Sequence, residues 1–506
     1  MTDIVFYAPN GFRTNPENLQ LPTGLLALSS VLKSAGFSVK IVNEPSVQKS
    51  VRLIEKHITK KTLFFGITCM SGTPIYDALI VARKVRKKNP WMKIVWGGVH
   101  PTILPEQTAE HELVDIVVRG PGESTAVSLA RAIKNNRPLG GIRGITYREN
   151  GKIVSTKDAE FLDINKLPMV DYDALDMEKY ITKIPQDKLT YDDISTRHMS
   201  YNSSRGCVHR CAFCAIRASC RGVWQKYTPE RTVREIKVLI KKYNINGIFF
   251  MDDNFFVDKA RVEKICDLMI KERLNIKWAG NCRADYFCSY SDEFMQKLLK
   301  SGLVQLVFGA ESGSQKILNY ICKDITVADI VNSAKKAKEY GIKAHYNFML
   351  GFPNEKIEDV HKTIDVIHKI YEIFPQSMSS LSVYTPYEGT KLIEDARKLG
   401  LKEPRDLEGW GMYNYLTFDT PWGSREFRET VKTVSILSQF LMGYQTTDRF
   451  GKSWQKLAFK LLKHDANFRW KHKVFIFAPE WKIVKAYFDR RMRNTERQWV
   501  RELRGV

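Results

Sequence analysis

Ser204-Arg205-Gly206-Cys207-Val208-His209-Arg210-Cys211-Ala212-Phe213-Cys214 decides the reading of this 506-residue chain. Its three thiols, spaced Cys-x3-Cys-x2-Cys, fall within one short loop. A cubane iron–sulfur cluster has four irons, so three cysteine ligands leave one iron open to a substrate or cofactor. An electron-transfer cluster would close that position with another cysteine. A zinc ion could use the same three sulfurs but needs a fourth ligand. His209 could supply it on paper, although it lies between two of the cysteines.

The loop follows an expected strand, Met199–Ser203, and that strand opens a regular series. Further strands are expected at Gly247–Met251, Lys277–Asn281, Val304–Phe308, Ala344–Leu350 and Ser380–Tyr384. Helices with apolar stripes alternate with them at Thr232–Tyr243, Asp258–Lys271, Ser291–Lys300, Val327–Tyr340 and Ile357–Ile373. Six βα units predict a partial parallel barrel, with the cysteine loop at the carboxyl rim where barrels carry their chemistry.

Upstream, strands Ile4–Ala8, Ser38–Val42, Leu63–Cys69, Lys93–Trp96 and Ile116–Arg119 alternate with helices Gly24–Ala35, Pro74–Lys88 and Ser124–Asn135. This is an α/β pattern, a doubly wound parallel sheet. Three of its strands end in small residues: Ser71-Gly72, Gly97-Gly98 and Gly120-Pro121-Gly122-Glu123. Ligands of such sheets bind outside the carboxyl strand ends, where glycines let the backbone approach something bulky. The first turn, Asn10-Gly11-Phe12-Arg13, is not a dinucleotide-binding fingerprint. We therefore expect a Rossmann-like domain at 1–145, a polar linker at 146–195 that wraps the domains, a partial (β/α)6 barrel at 196–405 and a helical extension at 406–506.

Composition narrows the classes. The hydrophobic fraction of 43% is that of an ordinary globular protein. No apolar run reaches the roughly 18 residues of a membrane span. The N-terminus reads as a strand rather than a leader, so a cytoplasmic location is expected. Nine cysteines are an odd number and no disulfide framework; outside the trio, Cys69, Cys220, Cys266, Cys282, Cys288 and Cys322 read as core residues. The net charge is +23, and residues 425–506 hold 19 Lys and Arg against 8 Asp and Glu. Helical segments are expected there at Glu426–Tyr444, Ser453–Leu462 and Trp481–Val500. The run Phe468-Arg469-Trp470-Lys471-His472-Lys473-Val474-Phe475 mixes aromatic and basic residues. It suits an anionic membrane and a lipid substrate, or RNA, or a helical cap with snorkelling lysines.

Cys-x3-Cys-x-Phe-Cys after the first of six βα units resembles the motif of the radical S-adenosylmethionine (radical SAM) superfamily. The resemblance implies a [4Fe-4S] cluster on Cys207, Cys211 and Cys214 and S-adenosylmethionine on the open iron. It also implies cofactor contacts from Phe213 beside the cluster and from Asp252 and Asp253 at the second strand end, facing the ammonium. One of these two carboxylates is alternatively a cap for the helix near Asp258. Further contacts would come from Arg283, which could instead pair with Asp285, from Glu311 and Ser312, and from Gly351 and Phe352 toward adenine. The N-terminal sheet resembles the cobalamin-binding domain of the branch that contains radical methyltransferases and the anaerobic porphyrin cyclase. That likeness implies cobalamin near Ser71, Gly72, Gly97, Gly98, His100, Gly120, Gly122 and Glu123. The Asp-x-His-x-x-Gly motif whose histidine binds cobalt is missing, since His100 sits in Gly97-Gly98-Val99-His100-Pro101. Cobalamin would then bind without it, or the domain has lost cobalamin.

The expected activity is radical cleavage of S-adenosylmethionine followed by C-methylation, or cyclisation, of a small molecule or lipid. A reductase, flavodoxin or ferredoxin would supply the electron, and the C-terminal region would contact a membrane peripherally. An RNA-modifying radical enzyme is an alternative, but that class carries more cysteines upstream than Cys69 alone, so nucleic acid is not the expected partner. A cobalamin or iron–sulfur sensor is another; it would not need the strand-end groups.

Overall fold

Two seven-stranded sheets organise the computed structural model, which describes residues 2–11, 19–189, 193–413, 420–441 and 453–476, with isolated positions as far as 490. The first sheet contains β1 (Ile4–Tyr7), β2 (Val39–Val42), β3 (Phe64–Thr68), β4 (Lys93–Gly97), β5 (Ile116–Val118), β6 (Ile145–Glu149) and β7 (Lys152–Ser155) in the order β2-β1-β3-β4-β5-β6-β7. The five strands expected from the alternation are there and run parallel. The order reverses between β1 and β3, the point where such sheets bind ligands.

Two elements of this domain depart from the expectation. The chain from 145 is not linker but an antiparallel hairpin, β6–β7, that extends the sheet. Its turn, Asn150-Gly151, has positive φ at both residues (49° and 79°), the backbone that a tight hairpin needs. A helix at Val47–His57 also lies between β2 and β3. It is capped by Ser46 and buries Val47, Val51 and Ile54.

The second sheet contains β8 (Thr182–Lys183), β9 (Arg197–Tyr201), β12 (Gly247–Phe250), β13 (Lys277–Cys282), β14 (Leu303–Glu311), β15 (Lys343–Leu350) and β16 (Met378–Val383). A two-stranded ribbon, β10 (Ser204–Arg205) and β11 (Gln225–Lys226), frames the cysteine loop. From β9 to β16 the six strands are parallel, with β8 antiparallel at one edge. In β15 every second residue is buried (Ala344, Tyr346, Phe348, Leu350), the period of a strand with one face on the core. The helix Ile357–Ile373 buries Val360, Ile364, Ile367 and Ile370 at helical spacing.

Residues 156–195 join the domains through packing. Ile164, Tyr172, Met177 and Ile181 are buried in one core that runs from the barrel to the near face of the N-terminal sheet. Leu407 and Trp410 return from beyond the barrel to the far face of that sheet. Downstream, the helix Arg425–Leu441 covers the edge strand β16, and the helix Ser453–His472 lies against it, extending ten residues past the expected end. The segment Trp481–Val500 and residues 442–444 lie outside the described residues, save isolated positions.

Arg231 fixes the wrapping segment. Its guanidinium is 4% exposed, pairs with Glu235 at 2.7 Å, and donates to the carbonyls of Ile164, Leu167 and Pro168 at 2.6, 2.8 and 3.2 Å. Replacing it leaves the buried Glu235 carboxylate with the Tyr201 hydroxyl as its remaining donor and takes the guanidinium from three carbonyls. Arg231→Met is expected to lower the unfolding free energy by about 3–5 kcal/mol in urea titrations, whereas the double replacement Arg231→Met/Glu235→Leu recovers part of it.

Candidate cofactor site at the barrel rim

The chain leaving β9 is held by its neighbour strand before it reaches the cysteines. Asp252, at the end of β12, is fully buried and accepts from Ser203 N (2.7 Å), Ser203 Oγ (2.6 Å) and Ser204 Oγ (2.6 Å). Burial pushes its carboxyl above the ordinary range, and the serine bonds offset part of that shift. Arg261 braces the same turn through Ser203 O and Tyr227 O. Asp252 is therefore engaged with the loop on both oxygens and buried beneath the rim. Asp253 is exposed at the rim, where one oxygen accepts from Gly206 N at 2.8 Å, one residue before Cys207. The cap of the next helix is Asp258, so neither carboxylate serves there.

Cys207, Cys211 and Cys214 are partly exposed free thiols. Burial raises the pKa of all three, that of Cys214 to about 11. Burial thus disfavours the thiolate, a cost that a bound metal would offset. His209 turns away to Tyr286, its Nε2 2.8 Å from the hydroxyl, and burial with the nearby Arg283 lowers its pKa to about 4. Among the described residues no three His, Cys, Asp or Glu side chains converge on a single ion.

The next strand ends bring a second set of groups to the same rim. Glu311, with φ +62°, ends β14 and pairs with Lys323 at 2.8 Å. Burial pushes the Lys323 ammonium down, but the Glu311 carboxylate prevails and holds it above its usual value. The ammonium lies 6.0 Å from the Phe213 ring, and Phe213 lies 6.1 Å from Phe352, which stacks on Tyr384 at 4.9 Å. Gly309 leaves room for the pair; a Cβ there would collide with Glu311 and Lys323. Lys323 escaped sequence reading because it lies beyond the β14 motif, in no pattern of its own.

Four expected contacts have other partners or places in the structure. Arg283 is 6% exposed, pairs with Asp285 at 3.0 and 3.1 Å and donates to Asp324 O at 2.7 Å. Ser312 is fully buried and closes its own turn by accepting from Ser314 N. Phe352 is also fully buried, a floor beneath the rim. Gly351, with φ +87°, offers its carbonyl to Trp422 Nε1 at 3.0 Å, so the C-terminal extension seals this corner.

Across from the cysteines, a cavity of about 360 Å³ opens at the carboxyl ends of β3, β4 and β5. Gly97, Gly98, Gly120, Gly122 and Glu123 line it, and it runs inward past Leu25, Leu28 and Ala126 to Phe6 and Gly66. Its opposite wall comes from the barrel domain: Arg205, Ser219, Cys220, Val223 and Gln225. Arg205 pairs with Glu123 across the seam. Gly98 has φ +100°, and a Cβ there would lie 2.6 Å from Cys69 O, so no larger residue fits this turn. Ser71, Gly72 and His100, expected beside it, do not line the cavity. The turn after β3 leads instead to the helix on the far face of the sheet. The His100 ring is fully buried, with Nδ1 2.9 Å from both Ser71 Oγ and Glu388 Oε1, and Glu388 lies beyond β16 in the barrel.

The model of the radical SAM superfamily matches residues 201–367, and that of the B12 binding domain matches 11–130. An uncharacterised methyltransferase of Pyrococcus horikoshii is 34% identical over 379 residues, 74% of this chain and 78% of that protein. The anaerobic magnesium-protoporphyrin IX monomethyl ester cyclase of Rubrivivax gelatinosus is 27% identical over 410 residues, 78% of this chain and 69% of its own. In fold, the chain is similar to the cobalamin-dependent S-adenosylmethionine radical enzyme OxsB with aqua-cobalamin bound. There the TM-score is 0.71 at 17% identity, over 97% of this chain and 75% of that one. The methyltransferase TsrM of Kitasatospora setae, with cobalamin and a [4Fe-4S] cluster, gives 0.62 at 17% identity over 79% and 75%.

Glu355 gives this rim a pH dependence. It accepts from Gly351 N and Phe352 N, and burial raises its pKa from 4.5 to about 8. The folded state therefore binds its proton more tightly than the unfolded state does. The resulting stability is full below pH 4.5 and is lost as pH rises toward 8. Glu355→Gln is expected to remove that slope, measured as the change in urea midpoint between pH 5 and pH 9.

Proposed function

Because this chain belongs to the radical SAM superfamily and carries a B12-binding domain, an enzyme that works with a [4Fe-4S] cluster, S-adenosylmethionine and cobalamin, we propose that it methylates an unactivated carbon of a small molecule or lipid. The observation that carries this reading is the cavity whose one wall is the glycine-lined strand ends and whose other wall flanks the cysteine loop. An occupant of that space would lie between the two domains, beside the cluster loop.

The residues fit the groups. Cys207, Cys211 and Cys214 are free and share one loop, and three such ligands would leave one iron of a cluster open. The cavity is apolar at depth, with backbone at its mouth, where Gly98 packs directly on the Cys69 backbone. Together the bound cofactors supply one-electron cleavage of a carbon–sulfur bond, hydrogen abstraction and a transferable methyl group.

The chain's own residues position and exclude. The outer oxygen of Asp253 faces the rim and would receive the ammonium of S-adenosylmethionine. Lys323, kept charged by Glu311, would meet its carboxylate, with Phe213 and the backbone of Gly351 bounding the adenine side over the Phe352 floor. Gly97, Gly98, Gly120, Gly122 and Glu123 would hold the corrin. His100, Ser71 and Glu388 act one layer away, by fixing the two domains against each other. Trp422 and the C-terminal extension close the barrel corner and limit water.

A reductase, flavodoxin or ferredoxin would deliver the electron. We place the reaction in the cytoplasm, where nine free thiols persist, with the C-terminal region against a membrane surface. Cyclisation without methyl transfer is the second reading, favoured by the likeness to the porphyrin cyclase. Labelled methyl from S-adenosylmethionine appearing in product supports the first; a product short of two hydrogens with no label supports the second.

Three variants test the assignment in anaerobically reconstituted protein. Cys211→Ala is expected to lose the iron, about four per chain in the parent, together with 5′-deoxyadenosine formation. Lys323→Met should keep the iron but raise the KM for S-adenosylmethionine by about tenfold or more. Leu28→Trp, which fills the cavity above Gly122, should abolish the corrinoid absorbance while the iron content stays unchanged.

A further inference from the structure

The helix Ser453–His472 has two apolar faces, and among the described residues only one is covered. Phe459, Ala466 and Trp470 are buried toward the helix Arg425–Leu441. On the opposite side Leu457, Leu461 and Phe468 are 60, 64 and 55% exposed. Spacings of four and eleven residues place them within roughly 40° of one another around the helix. Exposed Lys460 and Lys471 run along one flank of this ridge, His464 lies on it, and the His472 ring packs on Phe468 at 4.6 Å. Asp465 is the helix's one acid; it is held by Arg469 at 3.0 Å and Trp481 Nε1 at 2.8 Å, away from the ridge. The ridge is anchored to the barrel: Lys473 pairs with Asp365, and Phe475 is buried with its ring 6.1 Å from His361, both partners on the helix Ile357–Ile373.

We propose that this ridge is a peripheral docking surface for an anionic lipid membrane, with Leu457, Leu461 and Phe468 entering the acyl boundary and Lys460 and Lys471 meeting lipid phosphates. The charge pattern selects this occupant. A second copy of the chain, docked isologously, would bring lysines of like position together with no free acid on the face to answer them. A nucleic acid would satisfy the lysines but would leave two leucines against a polar backbone. No helix among the described residues is long and apolar enough to cross a membrane, so the contact is one of surface docking. It stands whichever reaction the barrel performs.

The test is co-sedimentation of the full-length protein with vesicles of phosphatidylcholine alone or mixed with phosphatidylglycerol. Parent protein is expected to bind the mixed vesicles at least about tenfold more tightly than the neutral ones, and less tightly as salt rises. Leu457→Ser/Leu461→Ser is expected to weaken that binding by about tenfold or more without altering the melting temperature. Lys460→Glu/Lys471→Glu, a second variant at exposed positions, should remove the preference for phosphatidylglycerol. Equal binding by parent and leucine variant would overturn the proposal. So would a parent that ignores vesicles but forms a dimer, or binds an RNA oligonucleotide, in a manner the leucine replacements abolish.

Discussion

A buried carboxylate, Asp252, ties the first barrel strand to the second at the point where the chain departs for the cysteines. Its bonds to Ser203 and Ser204 restrict the direction from which Gly206 and Cys207 are approached. A group shared by the three thiols would be a few ångströms across, and a freely moving loop would lose such a geometry to conformational entropy. The Asp253 bond to Gly206 N and the Ala212 N bond to Ile321 O, at the end of the helix Gln315–Tyr320, hold the same loop at two further points. The site is therefore built on the sheet rather than on the loop that displays it.

The domain seam has a comparable logic. Glu388 joins His100 and Ser71, Glu123 joins Arg205, and Gly389 lies so close to Ala218 and Ile103 that any Cβ would collide with both. These contacts link the N-terminal sheet, the stretch after the cysteines and the turn after β16. Polar pairs sequestered in this way are costly to leave half-made, which favours one docking geometry over many.

Most of the architecture was legible in the sequence, because period-two and period-3.6 patterns are strong where an element buries one face. The helix Ile357–Ile373 ends where the pattern ends. The hairpin β6–β7 went unread although Asn150-Gly151 is a strong turn signal; the polarity that follows it hid short strands with little buried surface. At the site, sequence supplied positions but not directions. Asp252 and Asp253 are adjacent in the chain, yet one is sealed inside and the other faces the rim. Arg283 had two available partners, and the nearer carboxylate, two residues away, holds it. The resemblance places Ser71 and His100 beside cobalamin with the other strand-end residues, but which face a turn leaves by is decided by the helix it feeds.

The space between the glycine turns and Cys220 has walls from two separately built bodies. Anything that fills it touches both, and its affinity cannot be separated from their adhesion. Occupancy and inter-domain grip are then a single linked equilibrium, each strengthening the other by the same factor.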